Sequence, residues 1–148
     1  MNCKERNYEL ITDITAYPDG AVSFAKPMQV FEKHITDTEF SLDEDKAIAV
    51  PMKGGSGKLE DSSKEGLQGT SYTVSLTWEV DGPDAAAYQT LKSLKKTFKH
   101  LIVTTFGGNR SLIRSNEDGW VFRYEESGGV IKCEASVMNV SGVQRILE

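Results

Sequence analysis

Nine residues, Tyr72 to Val80, constrain the fold of this chain more than any others. Tyr72, Val74, Leu76, Trp78 and Val80 alternate with Thr73, Ser75, Thr77 and Glu79. A period of two sends successive side chains to opposite faces, so every large apolar group falls on one side. That pattern predicts a half-buried antiparallel strand with water on its other face.

The residues after it predict one helix followed by more strands. Asp81-Gly82-Pro83-Asp84 ends the strand, with Pro83 suited to a first helical position and Asp81 or Gly82 available as caps. Ala87, Leu91, Leu94 and Phe98 then recur at helical spacing, and Lys95, Lys96, Lys99 and His100 crowd the far end, where the dipole favours positive charge. The helix is expected over about 83–99. Leu101 to Phe106 reads as a strand buried on both faces, Gly107-Gly108-Asn109 as a turn and Ser111 to Arg114 as a short strand. Asn116 to Gly119 is a further turn. Trp120, Phe122 and Tyr124 alternate with Val121, Arg123 and Glu125, and Ser127-Gly128-Gly129 reverses the chain into Ile131, Cys133, Ala135 and Val137. Those two runs read as a hairpin.

In the N-terminal half, Tyr8 to Thr15 alternates imperfectly, with an isoleucine on each face, and Tyr17-Pro18-Asp19-Gly20 supplies turn chemistry. Val22 to Ala25, Met28 to Ile35 and Ala47 to Met52 are strand candidates, and Phe40 to Asp45 is a loop or a single helical turn. Lys53 to Gly69 holds five glycines and only two leucines. Too little apolar surface is available there to offset the entropy of ordering, which predicts a long mobile loop over about 53–69. The fold class is therefore α+β and mostly β: an antiparallel sandwich or barrel flanked by one helix. Its core is expected to hold Leu10, Ile14, Val74, Leu76, Trp78, Leu91, Leu94, Phe98, Val103, Phe122, Ile131 and Val137.

At 148 residues the expectation is a single domain over 1–148. No apolar run approaches the roughly 20 residues needed to span a bilayer, and no apolar stretch follows Met1 to Arg6, so neither membrane nor secretion is expected. Cys3 and Cys133 alone do not make a disulfide framework and fit a reducing cytoplasm. The net charge of −5 argues against general binding of nucleic acid.

No catalytic, cofactor-binding or metal-binding residues are assigned. Gly54-Gly55-Ser56-Gly57-Lys58 fails as a phosphate loop: the glycine spacing is wrong, Leu59 follows the lysine, and no helix is predicted next, so it reads as a flexible linker. His34 and His100 lack neighbours at metal-ligand spacing, and His100 reads as a cap on the last helical turn. Cys133 sits on the apolar face of a strand, as a small buried hydrophobe does. Asp37, Glu39, Asp43, Glu44 and Asp45 lack the central glycine of a calcium loop and read as a solvated acidic loop. Lys92, Lys95, Lys96 and Lys99 form a basic helical stripe, read as a solvated face.

The closing stretch, Gly128-Gly129-Val130-Ile131-Lys132-Cys133-Glu134-Ala135-Ser136-Val137 through Arg145, with the helix and loop before it, resembles the small tail-tube proteins of phages and prophages. The likeness lies in organisation from about Tyr72 to Arg145. It implies a β-sandwich or barrel with one helix, whose copies form rings that stack, with long loops touching the next ring. It further implies a non-enzymatic structural subunit of a virion, assembled in a host bacterial cytoplasm, whose partners are itself and other tail proteins. An alternative is a small binding module for a peptide, a lipid or another virion protein, with Trp78, Trp120 and Tyr124 lining a groove. A third is an enzyme built on His34, Cys133 and an acid.

Overall fold

The computed structural model describes residues 10–25, 33–66, 69–82, 84–115, 120–139 and 141–147. In chain order its strands are β1 (Ile11–Pro18), β2 (Val22–Phe24), β3 (His34–Thr36), β4 (Phe40–Leu42), β5 (Ile48–Ala49), β6 (Lys58–Gly66) and β7 (Gly69–Asp81). The helix α1 (Ala85–Thr97) follows, and then β8 (Phe98–Thr105), β9 (Arg110–Arg114), β10 (Val121–Ser127), β11 (Val130–Asn139) and β12 (Val143–Leu147). The fold is α+β and mostly β. Of the sandwich and the barrel, only the sandwich stands, because both large sheets are open: one has the order β3-β12-β9-β8-β1-β5 and the other β10-β11-β7-β6. Pairing is antiparallel except between β12 and β3.

One apolar core joins the sheets face to face. Ile14, Ala16, Leu101, Val103 and Ile113 from the larger sheet meet Val74, Leu76, Trp78, Ile131 and Val137 from the smaller, and Leu91 and Leu94 of α1 join them. The far side of the larger sheet carries Ile102, Leu112 and Ile146, covered by the β2–β4 ribbon through Val22, Phe24 and Phe40. Burial on both faces is why Leu101-Ile102-Val103 is continuously apolar.

The irregular alternation of the first strand has a physical cause. The register of β1 on β8 slips between Ile11 and Asp13, a bulge at Thr12. The extra residue lets Ile11 and Ile14 both reach the inter-sheet core despite their odd spacing. It also leaves Leu10 at 54% exposure, which corrects its expected place in the core. Phe98 is half-buried rather than buried, and the other ten expected core residues are buried.

The largest correction concerns 53–69. Residues Lys58 to Gly66 are not a loop but β6, paired with β7 from Lys58–Thr77 to Gly66–Gly69. Apolar side chains are sparse there, but the hydrogen-bonding needs of the long β7 backbone are not, and β6 meets them. The glycine-rich part is a crossover from β5 to β6 instead of a flexible linker. Lys53 N–H donates to Glu79 O at 2.6 Å, and Ser56 Oγ accepts from Glu79 N–H at 3.1 Å, taking the place of a strand there. A Cβ on Gly57 would lie 3.1 Å from Ile11 Cβ, so glycine lets the crossover press on β1.

The helix is shorter than expected at both ends. Asp84, not Asp81 or Gly82, is the N-cap, its carboxylate accepting from Ala87 N–H at 2.8 Å; Pro83 lies outside the described residues. At the other end Phe98, Lys99 and His100 belong to β8, because pairing with Pro18 and Tyr17 prevails over helical propensity. Phe40–Leu42 is strand β4 rather than loop, while Glu44–Lys46 is the expected single turn, of 3-10 form and capped by Asp43. The candidates at Tyr8, Met28 to Glu32, Asn116 to Gly119 and Cys3 lie outside the described residues.

Candidate functional site

His100 and Cys133 are drawn into structural roles. His100 does not cap a helix. It is buried in β8, its Nδ1 accepting from Ser115 N–H at 3.4 Å and its ring edge-on to Phe24 at 5.2 Å. Burial, with the Lys99 and Arg114 charges beside it, lowers its pKa to about 4 despite an opposing pull from Asp19. Cys133 faces the core, and burial pushes its thiol up to about 12, far from a reactive thiolate. His34 is exposed on β3, opposite Arg145. The structure therefore does not bring His34, His100 and Cys133 together as a catalytic set. Among the described residues, no three His, Cys, Asp or Glu side chains gather as metal ligands do. None of the described helices is long and apolar enough to cross a membrane.

The acidic cluster divides into local caps. Glu39 accepts from Thr36 N–H at 3.0 Å, and Asp43 Oδ1 accepts from Asp45 N–H at 3.2 Å. The four-lysine stripe dissolves, since Lys99 is in β8, 3.7 Å from Asp19. The aromatics also turn inward. Trp78 is buried and stacked on Phe122 at 5.7 Å, Phe122 meets Tyr124 at 5.8 Å, and Trp120 Nε1 donates to Lys99 O at 2.9 Å. The three do not line one exposed groove together, although Trp78 and Tyr124 border a hollow on the smaller sheet.

A buried polar seam, invisible in the sequence, locks the two sheets. Asp61 on β6 has its side chain 3% exposed; its Oδ2 lies 3.6 Å from Lys33 Nζ and accepts from Val143 N–H of β12 at 3.2 Å. Lys33 also lies 3.6 Å over the Tyr72 ring and donates to Ser141 O at 3.3 Å. Asn139 braces the turn into β12, its Nδ2 donating to Arg114 O at 2.8 Å and its Oδ1 accepting from Gly142 N–H at 2.5 Å. On the larger sheet's other face, Arg114 stacks 3.8 Å from the Phe24 ring. These contacts explain buried charge without invoking chemistry.

The outward face and the edges of the smaller sheet are available to partners. Cross-strand register sets its outward residues in rows: Glu79–Lys132–Glu125, then Lys58–Thr77–Glu134–Arg123, then Glu60–Ser75–Ser136–Val121. Charges of both signs alternate across it, and Arg123 holds Glu134 at 2.9 Å. A shallow hollow of about 810 Å³ lies on this face between Lys58, Glu79, Arg123 and Lys132. Its outermost strands are β6, nine residues long, and β10, seven long, and no described strand pairs beyond either. No known protein family, curated protein or solved structure matches this chain.

Proposed function

We propose that this chain is a non-enzymatic, self-assembling structural subunit, of the phage-tail-tube kind that its closing strands resemble, acting with copies of itself and other tail proteins. The observation that supports this reading is the pair of long open edges on the smaller sheet. An edge strand presents unsatisfied N–H and C=O groups that pair readily with another chain, and monomers usually keep such edges short or covered. Heterologous contacts between identical subunits satisfy both edges at once, giving a ring where the rotation closes. A loop that orders only on stacking has no part in this version, because 58–66 is already a strand. A binding module resting on exposed aromatics is disfavoured, since Trp78 is buried and Trp120 and Tyr124 pack on the core. Negative-stain microscopy of the concentrated protein tests the proposal: rings or tubes support it, and uniformly single particles at every concentration contradict it.

A further inference from the structure

We infer that copies of this chain join by pairing β6 of one with β10 of the next, in one register set by charge. The inference rests on the assembling reading above and adds the edges, the direction and the alignment. Because β10, β11, β7 and β6 pair antiparallel in turn, β6 and β10 run in opposite directions. A second copy that extends the sheet therefore meets β10 with an antiparallel β6.

Only alignments that keep the outward face continuous are acceptable, because a slip of one residue turns every side chain to the other face. The outward residues are Lys58, Glu60 and Ser62 on β6 and Val121, Arg123 and Glu125 on β10. One alignment places Lys58 opposite Glu125, Glu60 opposite Arg123 and Ser62 opposite Val121. Both charged pairs are then of opposite sign, which stabilises a cross-strand pair, whereas like charges directly opposite destabilise it. A slip of two residues one way sets Lys58 against Arg123, and two the other way sets Glu60 against Glu125. Each neighbouring register thus contains a repulsive pair.

The groups are placed to take part. Glu60 and Glu125 are exposed, and the Arg123 side chain is 72% exposed, so it can reach a second carboxylate while keeping Glu134. Val121 is 59% exposed on the edge, and a neighbouring strand covers it. On the inner face, Leu59 comes beside Tyr124, while Asp61, opposite Phe122, stays turned to Lys33 and Val143.

Paired charge reversals in the full chain test this. One variant carries Lys58→Glu with Glu60→Lys, and the other Arg123→Glu with Glu125→Arg. Thermal melting first establishes that both fold. Each alone should need about threefold or more protein to assemble, because its native alignment holds two like-charge pairs and an alignment slipped by two residues recovers only one attractive pair, while an equimolar mixture, or one chain carrying all four changes, should assemble as the wild type does. A wild type that assembles, with either variant unimpaired or with no recovery on mixing, overturns the pairing while leaving assembly itself standing. A β6 reversal that blocks assembly beside a harmless β10 reversal points instead to β6 meeting a surface other than β10, and overturns the pairing. A wild type that never assembles removes the assembling reading, and this inference with it.

Discussion

Asp61 and Val143 stand 82 residues apart in the chain, yet the Asp61 carboxylate accepts the Val143 N–H at 3.2 Å and so ties β6 of one sheet to β12 of the other. Lys33 completes the clasp at 3.6 Å. Replacing Asp61 with Ala strands the Val143 N–H and leaves Lys33 to Ser141 O and the Tyr72 ring. The Lys33 side chain is 26% exposed and can rehydrate, so the expected loss is about 2 kcal/mol, below that for breaking a fully buried ion pair. The urea midpoint of unfolding reads it directly.

Gly142 is the fourth member of that clasp. Its φ of +68° suits glycine, and a Cβ there would sit 2.8 Å from Asp61 Oδ2 and 2.9 Å from Lys33 Nζ. Gly142→Ala should cost about 1–3 kcal/mol. Part of that cost should disappear when Asp61→Ala is already present, because the two residues share one space. A strictly additive double mutant contradicts the clasp.

The crossover from β5 to β6 makes a separate prediction. Gly57→Val places atoms where Ile11 and the Met52 sulfur already stand, at 3.1 and 3.2 Å from a Cβ. Overpacking of that kind should cost about 1–3 kcal/mol. A flexible glycine linker would accept the change at no cost, so thermal denaturation separates the two descriptions.

How much of this the sequence carried depends on whether side chains or backbone decided the structure. β7, the β10–β11 hairpin and the doubly buried β8 were legible, because their apolar spacing is the signal that burial imposes. β6 was not: Lys58, Glu60, Ser62 and Lys64 read as solvent-facing loop, and what orders them is backbone pairing with β7. The end of α1 is hidden for a related reason, since nothing local stops the helix at Thr97 and only pairing with β1 draws Phe98 to His100 into a strand. The bulge at Thr12 hid the phase of β1. For the proposed contact face, the charges were visible, but their rows needed the register.

His100 gives the fold a defined acid limit. Its folded-state pKa lies near 4, below the ordinary 6.5, because burial and then the Lys99 and Arg114 charges disfavour the imidazolium. The unfolded chain therefore binds the extra proton first. The stabilisation is fully present above pH 6.5 and is lost as pH falls through 4, up to about 3 kcal/mol in all. His100→Gln should flatten the stability profile between pH 6.5 and 4. An unchanged slope in that variant contradicts the assignment.

Self-association is the central claim, and molar mass in solution tests it most directly. Light scattering over a wide range of concentration should give a mass that climbs from the 16.4 kDa of one chain to a multiple of it. A mass of one chain at every concentration would contradict the account.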